Sequence, residues 1–395
     1  MFTVPGECFR PAVLKLLFQT SPRPFLSATY RAQILTVRRL NNPRSISTSG
    51  SFHESFSKFR NFHNGDQFTK QFIDTAAQYT VSVAYNPKDR HESGAHVQTQ
   101  NGSDAETEAD SEPGEFVSNF KKIVRNRSNV TDAMHSPTGE DNYVVAYSDQ
   151  GMLLGVLDGV GGWAEQGYDS SAISRELASI ITQLYLQNPS LTAAQILDRA
   201  YAQVKLDGKV DVGSTTVVFG IVDAKTLQLD AVNLGDSWFG IFRKQPNGRY
   251  RCFYQSKEQT YYFNAPYQLS IIPPRILKEA ERKGTKFLMN VPADADKYGV
   301  KLLPGDVVLF TTDGMVDNVG PEDLEIYLDD TLNGKDSVSS LGQINKNLVS
   351  KVVVLGKDPQ FNSIFSQRLS RLASQPYIGG KPDDVTSVIM AITEE

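Results

Sequence analysis

Carboxylates stand at the ends of apolar runs, or in turns beside them, at five places in this chain. They are Glu140 and Asp141 in SPTGEDNYVVAY, Asp158 in GVLDGVGG, Asp236 in NLGDSW, Asp313 and Asp317 in TTDGMVDN, and Asp383 and Asp384 in KPDDVTSV. A lone Asp-Gly pair is usually a turn. Several acids at strand ends on one side of a sheet, however, converge in space and repel one another unless cations neutralise them.

Ligand sets made only of oxygen suit Mg²⁺ or Mn²⁺, and two such ions that share a carboxylate lie about 3.5 to 4 Å apart. Glycines follow two of the acids, at Asp158-Gly159 and Asp313-Gly314, where the backbone can approach an ion and lend a carbonyl. A centre of this kind lowers the pKa of bound water and offsets charge on a phosphoryl group during in-line attack. The acids therefore predict phosphate-ester hydrolysis without a histidine base or a covalent intermediate.

A nucleotide loop is the alternative interpretation of residues 152–177. Gly159, Gly161 and Ala164 fit the G-x-G-x-x-G/A dinucleotide fingerprint, and Glu176 lies near the position of a ribose-binding acid. Asp158 opposes this interpretation, because a carboxylate at that point would repel a pyrophosphate. The hairpin spacing of the strands further along also opposes it, since a doubly wound parallel sheet needs helical crossovers.

The histidines and cysteines exclude other chemistries. All five histidines precede residue 136, and the only cysteines are Cys8 and Cys252. Ser-His-Asp and Cys-His catalysis, like histidine-ligated zinc, is therefore excluded from the main domain unless His135 at its edge takes part. No disulfide framework or CxxC site can be built from the cysteines that remain after Cys8.

Apolar spacing predicts the elements that position the acids. Helical periodicity covers 168–187, 192–205, 322–330, 338–355 and 361–373. Strands are expected at 79–90, 214–222, 226–234, 237–244 and 249–256, in the run that ends on Asp313, and in the closing segment 379–393. Short connections between the strands of 214–256 predict hairpins and hence antiparallel sheets. The fold class is α+β.

The charge is unevenly distributed along the chain. Residues 1–44 carry seven basic side chains and one acid, or +6, which leaves −11 for the rest of a formal net charge of −5. An Arg- and Ser-rich start with the amphipathic stretch PAVLKLLF is typical of a mitochondrial transit peptide, so 1–45 is assigned as one; a disordered basic tail or a nucleic-acid arm is the alternative. The acidic remainder is a poor nucleic-acid binder, and no apolar run is long enough to span a membrane.

The remaining segments divide as follows. Residues 46–78 have no clean period, and the phosphatase domain is expected to occupy 79–395. Within it, the acidic and Ser-rich stretch 91–115 lacks aromatic residues and is expected to be a disordered insertion. Residues 257–302 are rich in Tyr, Pro and Lys with weak periodicity, and are expected to form a flap beside the site.

The ordered series GEDNY, DGVGGW, GSTT, NLGDSW, TTDGMVDN and DDVTSV extends over about 250 residues and resembles the type 2C metal-dependent serine/threonine protein phosphatases. The spellings SPTGEDNY, DGVGGWAEQGYDSSAISREL and FNAPYQLSIIP are similar to its mitochondrial branch, including members of the ubiquinone pathway. The resemblance implies an α-β-β-α sandwich of two antiparallel sheets with a binuclear metal centre at one edge. It also implies dephosphorylation of serine and threonine by attack of a metal-bridging hydroxide.

The resemblance implies a role for each acid. Asp158 would bridge two Mg²⁺ or Mn²⁺ ions and Gly159 would lend its carbonyl, while Asp313 and Asp383 would bind the first metal. Glu140 and Asp141 would hold the second, and Asp236 and Asp317 match positions linked to a third, weaker metal. Asp158, Asp313 and Asp383 are the residues to which we assign catalysis. Asp384 falls where the family often has Asn.

Two positions depart from the family pattern. Many members place an Arg four residues before the Glu to bind phosphate; here that residue is Ser136, and Arg125 or Arg127 is the candidate replacement. Members with a general acid have a His after the DG pair, where this chain has Val160. The expected partners are phosphorylated mitochondrial proteins, with a location in the matrix. The alternative functions are an inactive phosphatase-like binding module, a dinucleotide-dependent oxidoreductase and a metal-dependent nuclease.

Overall fold

Two antiparallel β-sheets of five strands each form the centre of the fold. The computed structural model describes residues 78–90, 136–333 and 337–393 and, within them, all side chains except those of 337–340. The first sheet has the order β1 (Tyr79–Asn86), β14 (Val385–Ile392), β13 (Val307–Thr311), β7 (Trp238–Lys244), β8 (Tyr250–Gln255). The second has the order β12 (Asp296–Lys301), β6 (Gln228–Leu234), β5 (Val217–Asp223), β3 (Gly151–Leu157), β2 (Asn142–Ser148).

Two short strand pairs and the helices complete the fold. β4 (Gly213–Thr215) pairs with β11 (Leu269–Ile271), and β9 (Thr260–Tyr262) pairs with β10 (Ala265–Pro266). The helices are α1 (Ala172–Gln187), α2 (Ala193–Asp207), α3 (Pro274–Arg282), α4 (Asp313–Val316), α5 (Pro321–Leu332), α6 (Ser337–Lys357) and α7 (Ile364–Ala373). Short 3-10 helices span Gly161–Gln166 and Pro292–Asp294.

Alternating side chains divide the apolar core into layers, because successive residues of a strand point to opposite faces. Val81, Val218 and Phe310 are among the residues packed between the two sheets. Phe219 on the opposite face of β5 packs with α1 and α2, and Leu309 on the opposite face of β13 packs with α5 and α6. The result is the α-β-β-α sandwich that the sequence resemblance implies.

Local signals fix where the flanking helices begin and end. At the start of α2, the Thr192 hydroxyl accepts a hydrogen bond from the Gln195 amide, and the Gln195 side chain accepts one from the Thr192 amide. This capping box satisfies backbone donors that a helix start would otherwise leave free. Gly208, with φ of 62°, ends the same helix in the left-handed conformation that glycine adopts most readily.

Most predicted elements are present, and the antiparallel pairing is confirmed, with one correction. β5 pairs with β6 and β7 with β8, but the short connection NLGDSW does not close a hairpin. It carries the chain from β6 in one sheet to β7 in the other. A short polar connection can join layers as easily as neighbouring strands, so its length could not distinguish the two cases.

Two further segments differ from their sequence interpretation. The run expected to end on Asp313 stops as a strand at Thr311, and Asp313 is the first residue of the four-residue helix α4. The segment 257–302, expected as a flap, contains α3 and ends in β12, which pairs with β6 at the edge of the second sheet. The end of that segment therefore belongs to the sandwich.

The expectations for 1–45, 46–77 and 91–115, together with those for Arg125, Arg127 and His135, lie outside the described residues. All described residues fall within one compact unit, Arg31–Glu395. Among the described residues, no helix combines the length and the apolar character that a membrane crossing requires.

Candidate metal centre

The acids singled out in the sequence lie at one end of both sheets. Glu140 and Asp141 precede β2, Asp158 follows β3, Asp236 joins β6 to β7, Asp313 and Asp317 follow β13, and Asp383 and Asp384 precede β14. In an antiparallel sheet the end of one strand lies beside the start of the next. The start of β2 accordingly pairs with the end of β3 through Asn142 and Leu157, and the end of β13 pairs with the start of β14 through Thr311 and Ser387.

Hydrogen bonds connect the acids at the ends of the two sheets, and the Glu140 amide donates to Oδ2 of Asp384 over 3.0 Å. The Thr312 hydroxyl, at the end of β13, donates to Oδ2 of Asp141 over 2.9 Å, and Asp141 immediately precedes β2. Asp141 is fully buried. Carboxylates from both sheets therefore meet at these strand ends.

The Asp158-Gly159 turn is fixed by its backbone contacts. The Asp158 carbonyl accepts hydrogen bonds from the Thr216 amide and the Thr215 hydroxyl, each 2.8 Å long. The Gly159 amide donates to the Glu140 carbonyl over 3.2 Å. A Cβ at Gly159 would lie 2.3 Å from the Ser170 carbonyl oxygen and 2.8 Å from that of Glu140, so only glycine fits here.

Three basic side chains that sequence reasoning missed lie among the acids. The Lys88 ammonium is 2.7 Å from Oε2 of Glu140 and 3.0 Å from Oδ1 of Asp383. Arg90 binds Asp384 through both terminal nitrogens, at 2.5 and 3.0 Å, and also lies 3.0 Å from Glu140. Both basic residues follow β1, whose pairing with β14 from Asn86 to Val385 ends at the same edge. A prediction that β1 pairs with β14 would have placed Lys88 and Arg90 beside these acids.

Lys381 is the third basic residue. Its ammonium lies 2.6 Å from Oδ2 of Asp313, 2.5 Å from Oδ2 of Asp317 and 3.4 Å from Oδ2 of Asp383. Although it stands only two residues before Asp383 in the sequence, nothing in its spacing marked it as part of the site. The acidic cluster therefore contains three protein cations, Lys88, Arg90 and Lys381.

The pKa values divide the acids into two groups. Burial, reinforced by the charges of Asp141, Asp313, Asp383 and Asp236, raises the pKa of Asp158 well above its ordinary value. Burial also raises the pKa values of Asp141 and Asp236 in the same way. Lys381 partly offsets the effect at Asp236, so Asp158 and Asp141 are the positions where an added cation is favoured most.

The acids beside Lys88 behave differently. Burial opposes ionisation of Asp383, but the ammonium groups of Lys88 and Lys381 outweigh it and lower the pKa to about 2. Burial likewise opposes ionisation of Glu140, and Lys88, the Ser170 hydroxyl and Arg90 together lower its pKa. Protein cations therefore already hold these carboxylates in the charged form that binds metal.

The donor set fits a hard divalent cation. Oδ1 of Asp141 and Oδ1 of Asp313 are buried and form no hydrogen bond within the described residues, and a buried polar atom left without a partner is costly. All the candidate side-chain donors are carboxylate oxygens, which Mg²⁺ and Mn²⁺ prefer. Across the same residues, no three histidine, cysteine or acidic side chains already stand in a ligand arrangement.

Comparison with known proteins gives the family. The family model described as Stage II sporulation protein E (SpoIIE) matches residues 148–361, more than half of the chain. The chain is 43% identical over 269 residues to a Saccharomyces cerevisiae protein named "Protein phosphatase 2C homolog 7, mitochondrial", a match that covers 66% of this chain and 76% of that one. The chain belongs to the protein phosphatase 2C family. It is accordingly a serine/threonine protein phosphatase, as the order of its motifs implied.

Two further comparisons agree. The phosphatase is 34% identical over 258 residues to "Protein phosphatase PTC7 homolog fig" of Drosophila virilis, covering 64% of this chain and 78% of that one. The X-ray structure of the photosystem II phosphatase PBCP superposes with a TM-score of 0.51 at 25% identity, covering 64% of this chain and 92% of that one. The antiparallel sandwich fold is confirmed. The dinucleotide alternative is excluded, because no pair of strands around β3 is parallel.

The two departures from the family pattern have structural explanations in this phosphatase. Ser136, at the position of the usual arginine, bonds to the neighbouring Thr138 hydroxyl at 3.2 Å and supplies no cation. Val160, at the position of the usual histidine, packs in a small apolar cluster with Trp163 and the α3 residue Leu277. Val160 and the α3 residue Leu277 thus pack against the same apolar cluster.

The two tryptophans near the centre are packing residues. Trp163 is 5% exposed, donates to the Ser214 hydroxyl over 2.9 Å and stacks on Phe287. Trp238 is also buried, and its indole nitrogen donates to Gln255 over 3.1 Å. Both indole rings therefore stabilise the packing of the phosphatase domain.

Proposed function

We propose that this chain hydrolyses phosphoserine and phosphothreonine in mitochondrial proteins with two divalent cations, Mg²⁺ or Mn²⁺, held by the acids at the sheet ends. The observation that carries the proposal is the group of carboxylates that the ends of the two sheets bring together, with Asp141 and Asp313 buried and each keeping one oxygen without a hydrogen-bond partner among the described residues. When bound, such a pair of cations supplies a water of lowered pKa and neutralises charge on the phosphoryl group.

In this proposal Asp158 would serve both cations, and the Gly159 carbonyl, Asp313 and Asp383 would hold the first. Glu140 and Asp141 would hold the second. Three contacts orient these ligands: the Ser170 hydroxyl donates to Oε1 of Glu140 over 2.7 Å, Thr312 donates to Asp141, and Lys381 holds one oxygen of Asp313. Partners of this kind keep a ligand in the rotamer that binds metal.

Lys88 is the residue through which we propose that the phosphate of the substrate is held in place of the missing arginine. Its side chain is 30% exposed, whereas those of Arg90 and Lys381 are 16% and 15% exposed. Arg90 is also occupied by Asp384 on two nitrogens. Because the Lys88 side chain is the most exposed of the three, its ammonium group is the one best suited to bind an incoming phosphate dianion.

The mitochondrial part of the proposal has separate support. The S. cerevisiae relative carries "mitochondrial" in its name, and residues 1–44 have the basic, acid-poor composition of a transit peptide. We propose cleavage within 44–49, location in the matrix, and a role in regulating ubiquinone biosynthesis that rests on the motif spellings alone. Protease protection of isolated mitochondria, with N-terminal sequencing of the mature chain, tests the first two points. Recovery of a full-length, protease-sensitive chain would contradict them.

The test of the activity measures phosphate release from phosphoserine and phosphothreonine peptides by the full chain. We expect release with Mn²⁺ or Mg²⁺ and none with EDTA, and no release from a phosphotyrosine peptide. The variant Asp158→Asn with Asp313→Asn should be inactive, whereas Asp198→Asn, an exposed position on α2, should match the wild type. Activity that survives the double substitution would refute the mechanism, and a wild type without activity would favour the binding-module alternative.

A further inference from the structure

Lys381 lies inside the acidic cluster. Its ammonium contacts Asp313, Asp317 and Asp383, and its side chain is 15% exposed, so three carboxylates surround one largely buried cation. An ammonium group has three donors and no acceptor. Two of them donate hydrogen bonds to Asp313 and Asp317, and Asp383 lies within ion-pair distance, so the ammonium offsets part of the charge of Asp317.

The backbone fixes Lys381 in this position. The side-chain oxygen of Asn318 accepts from the Lys381 amide, and the side-chain nitrogen of Asn318 donates to the Lys381 carbonyl, both over 2.9 Å. Asn318 is buried and also binds the Gly314 carbonyl. The loop that carries Lys381 is thus joined at two points to the turn that carries Asp313 and Asp317.

Two further contacts limit the movement of Lys381. A Cβ at Gly356 of α6 would lie 3.0 Å from the Lys381 carbonyl oxygen, so the helix packs closely on this loop. The Phe365 ring of α7 lies 5.3 Å from the ammonium, within the range of a cation–π interaction, and the Phe365 amide donates to the Asp317 carbonyl over 2.8 Å. The ammonium is consequently built into the site and is unlike a surface lysine.

The oxygens of Asp313 are divided between two roles. Oδ2 faces Lys381 at 2.6 Å, whereas Oδ1 is buried and forms no hydrogen bond in the described part of the chain. Lys381 therefore leaves one oxygen of Asp313 for a metal and orients it. Asp317 differs, because a divalent ion bound there would have to displace the ammonium or lie against it, and like charges in a partly buried site repel strongly.

We propose that Lys381 is the permanent cation of this side of the cluster, so that the chain binds divalent metal at two positions and forms no third metal site with Asp236 and Asp317. The inference rests on the proposed metal-dependent function. It differs from the third site that the sequence resemblance implied. Lys381 is a positioning residue for Asp313 and a substitute for a metal ion at Asp317.

The experiment counts Mn²⁺ bound per full-length chain after removal of metal, with free Mn²⁺ measured by electron paramagnetic resonance. The wild type should bind two ions. Lys381→Met, which keeps the length of the side chain and removes its charge, should bind a third, and Lys381→Met with Asp317→Asn should return to two. Lys357→Met is the matched control, because it removes one lysine charge from an exposed pair with Asp89 outside the acidic cluster, and it should not add a site.

A second variant keeps the test decisive if Lys381→Met does not fold. Asp317→Asn in the wild-type background should leave the count at two, as expected of a residue that is not a ligand. Three ions on the wild type, or loss of an ion in Asp317→Asn, would overturn the inference alone. A wild type that binds no Mn²⁺ and hydrolyses phosphopeptides without it would instead overturn the proposed function.

Discussion

Replacing Gly159 by alanine tests whether the Asp158-Gly159 turn must lie against the Glu140 turn. The added Cβ would lie 2.3 Å from the Ser170 carbonyl oxygen and has to move by about 1 Å to reach the 3.4 Å of an ordinary contact. Both nearby oxygens belong to the backbone and cannot rotate away. Overpacking in such a place costs about 1 to 3 kcal/mol, and we expect about 3 kcal/mol here.

The shift also affects the ligands, because Ser170 and Glu140 are joined by a 2.7 Å hydrogen bond. Moving either carbonyl displaces the Glu140 side chain, so Mn²⁺ binding should weaken by about tenfold or more, as when the partners that orient a ligand are lost. Urea unfolding of the metal-free chain measures the first effect. A Mn²⁺ titration of the folded chain measures the second.

Gly162→Ala is the matched control. It lies three residues away, a Cβ there meets nothing within 4 Å, and its φ is not positive. Alanine at a compatible glycine position is neutral or stabilises by up to about 1 kcal/mol through the unfolded state, and Mn²⁺ affinity should not change. If the stability in urea and the Mn²⁺ affinity of Gly159→Ala equal those of Gly162→Ala, the close contact of the two turns is not a requirement of the site.

Two other predictions concern charge. Asp384→Asn should destabilise the chain by about 3 kcal/mol in urea unfolding, because it breaks the buried pair with Arg90. Arg90→Met should cost less in the Asp384→Asn background than in the wild type, because the pair is already broken there, and strictly additive losses would contradict the pairing. The stability of the metal-free chain should fall as pH rises from about 4 to about 6. Burial, partly offset by Lys381, raises the pKa of Asp317 from 3.8 to about 6. In that range the folded state retains a proton that the unfolded state releases, so rising pH favours the unfolded state. Urea midpoints across that range should fall less in Asp317→Asn; an equal fall in both proteins would show that other groups set the slope.

Local patterns were sufficient for the elements and for the acids. The period-2 and helical apolar runs predicted β1, the two helices α1 and α2 and the antiparallel pairs β5–β6 and β7–β8, because burial of one face imposes that spacing. α3 was missed inside 257–302 because it is only nine residues long and mostly polar. The connection at Asp236 was misinterpreted, since three residues between strands are compatible with a hairpin and with a crossing from one sheet to the other.

The sequence by itself determined the fold class, the phosphatase family and the set of carboxylates, because these depend on motif order and on residues that lie beside their own strand ends. Only the tertiary structure decided how those charges are balanced. Lys88 reaches Asp383 across 295 residues of sequence, and Lys381 joins Asp317 through a loop held by Asn318. Electrostatic pairing depends on distance in space, so the cations that share the site could be identified only once the sheet ends were brought together.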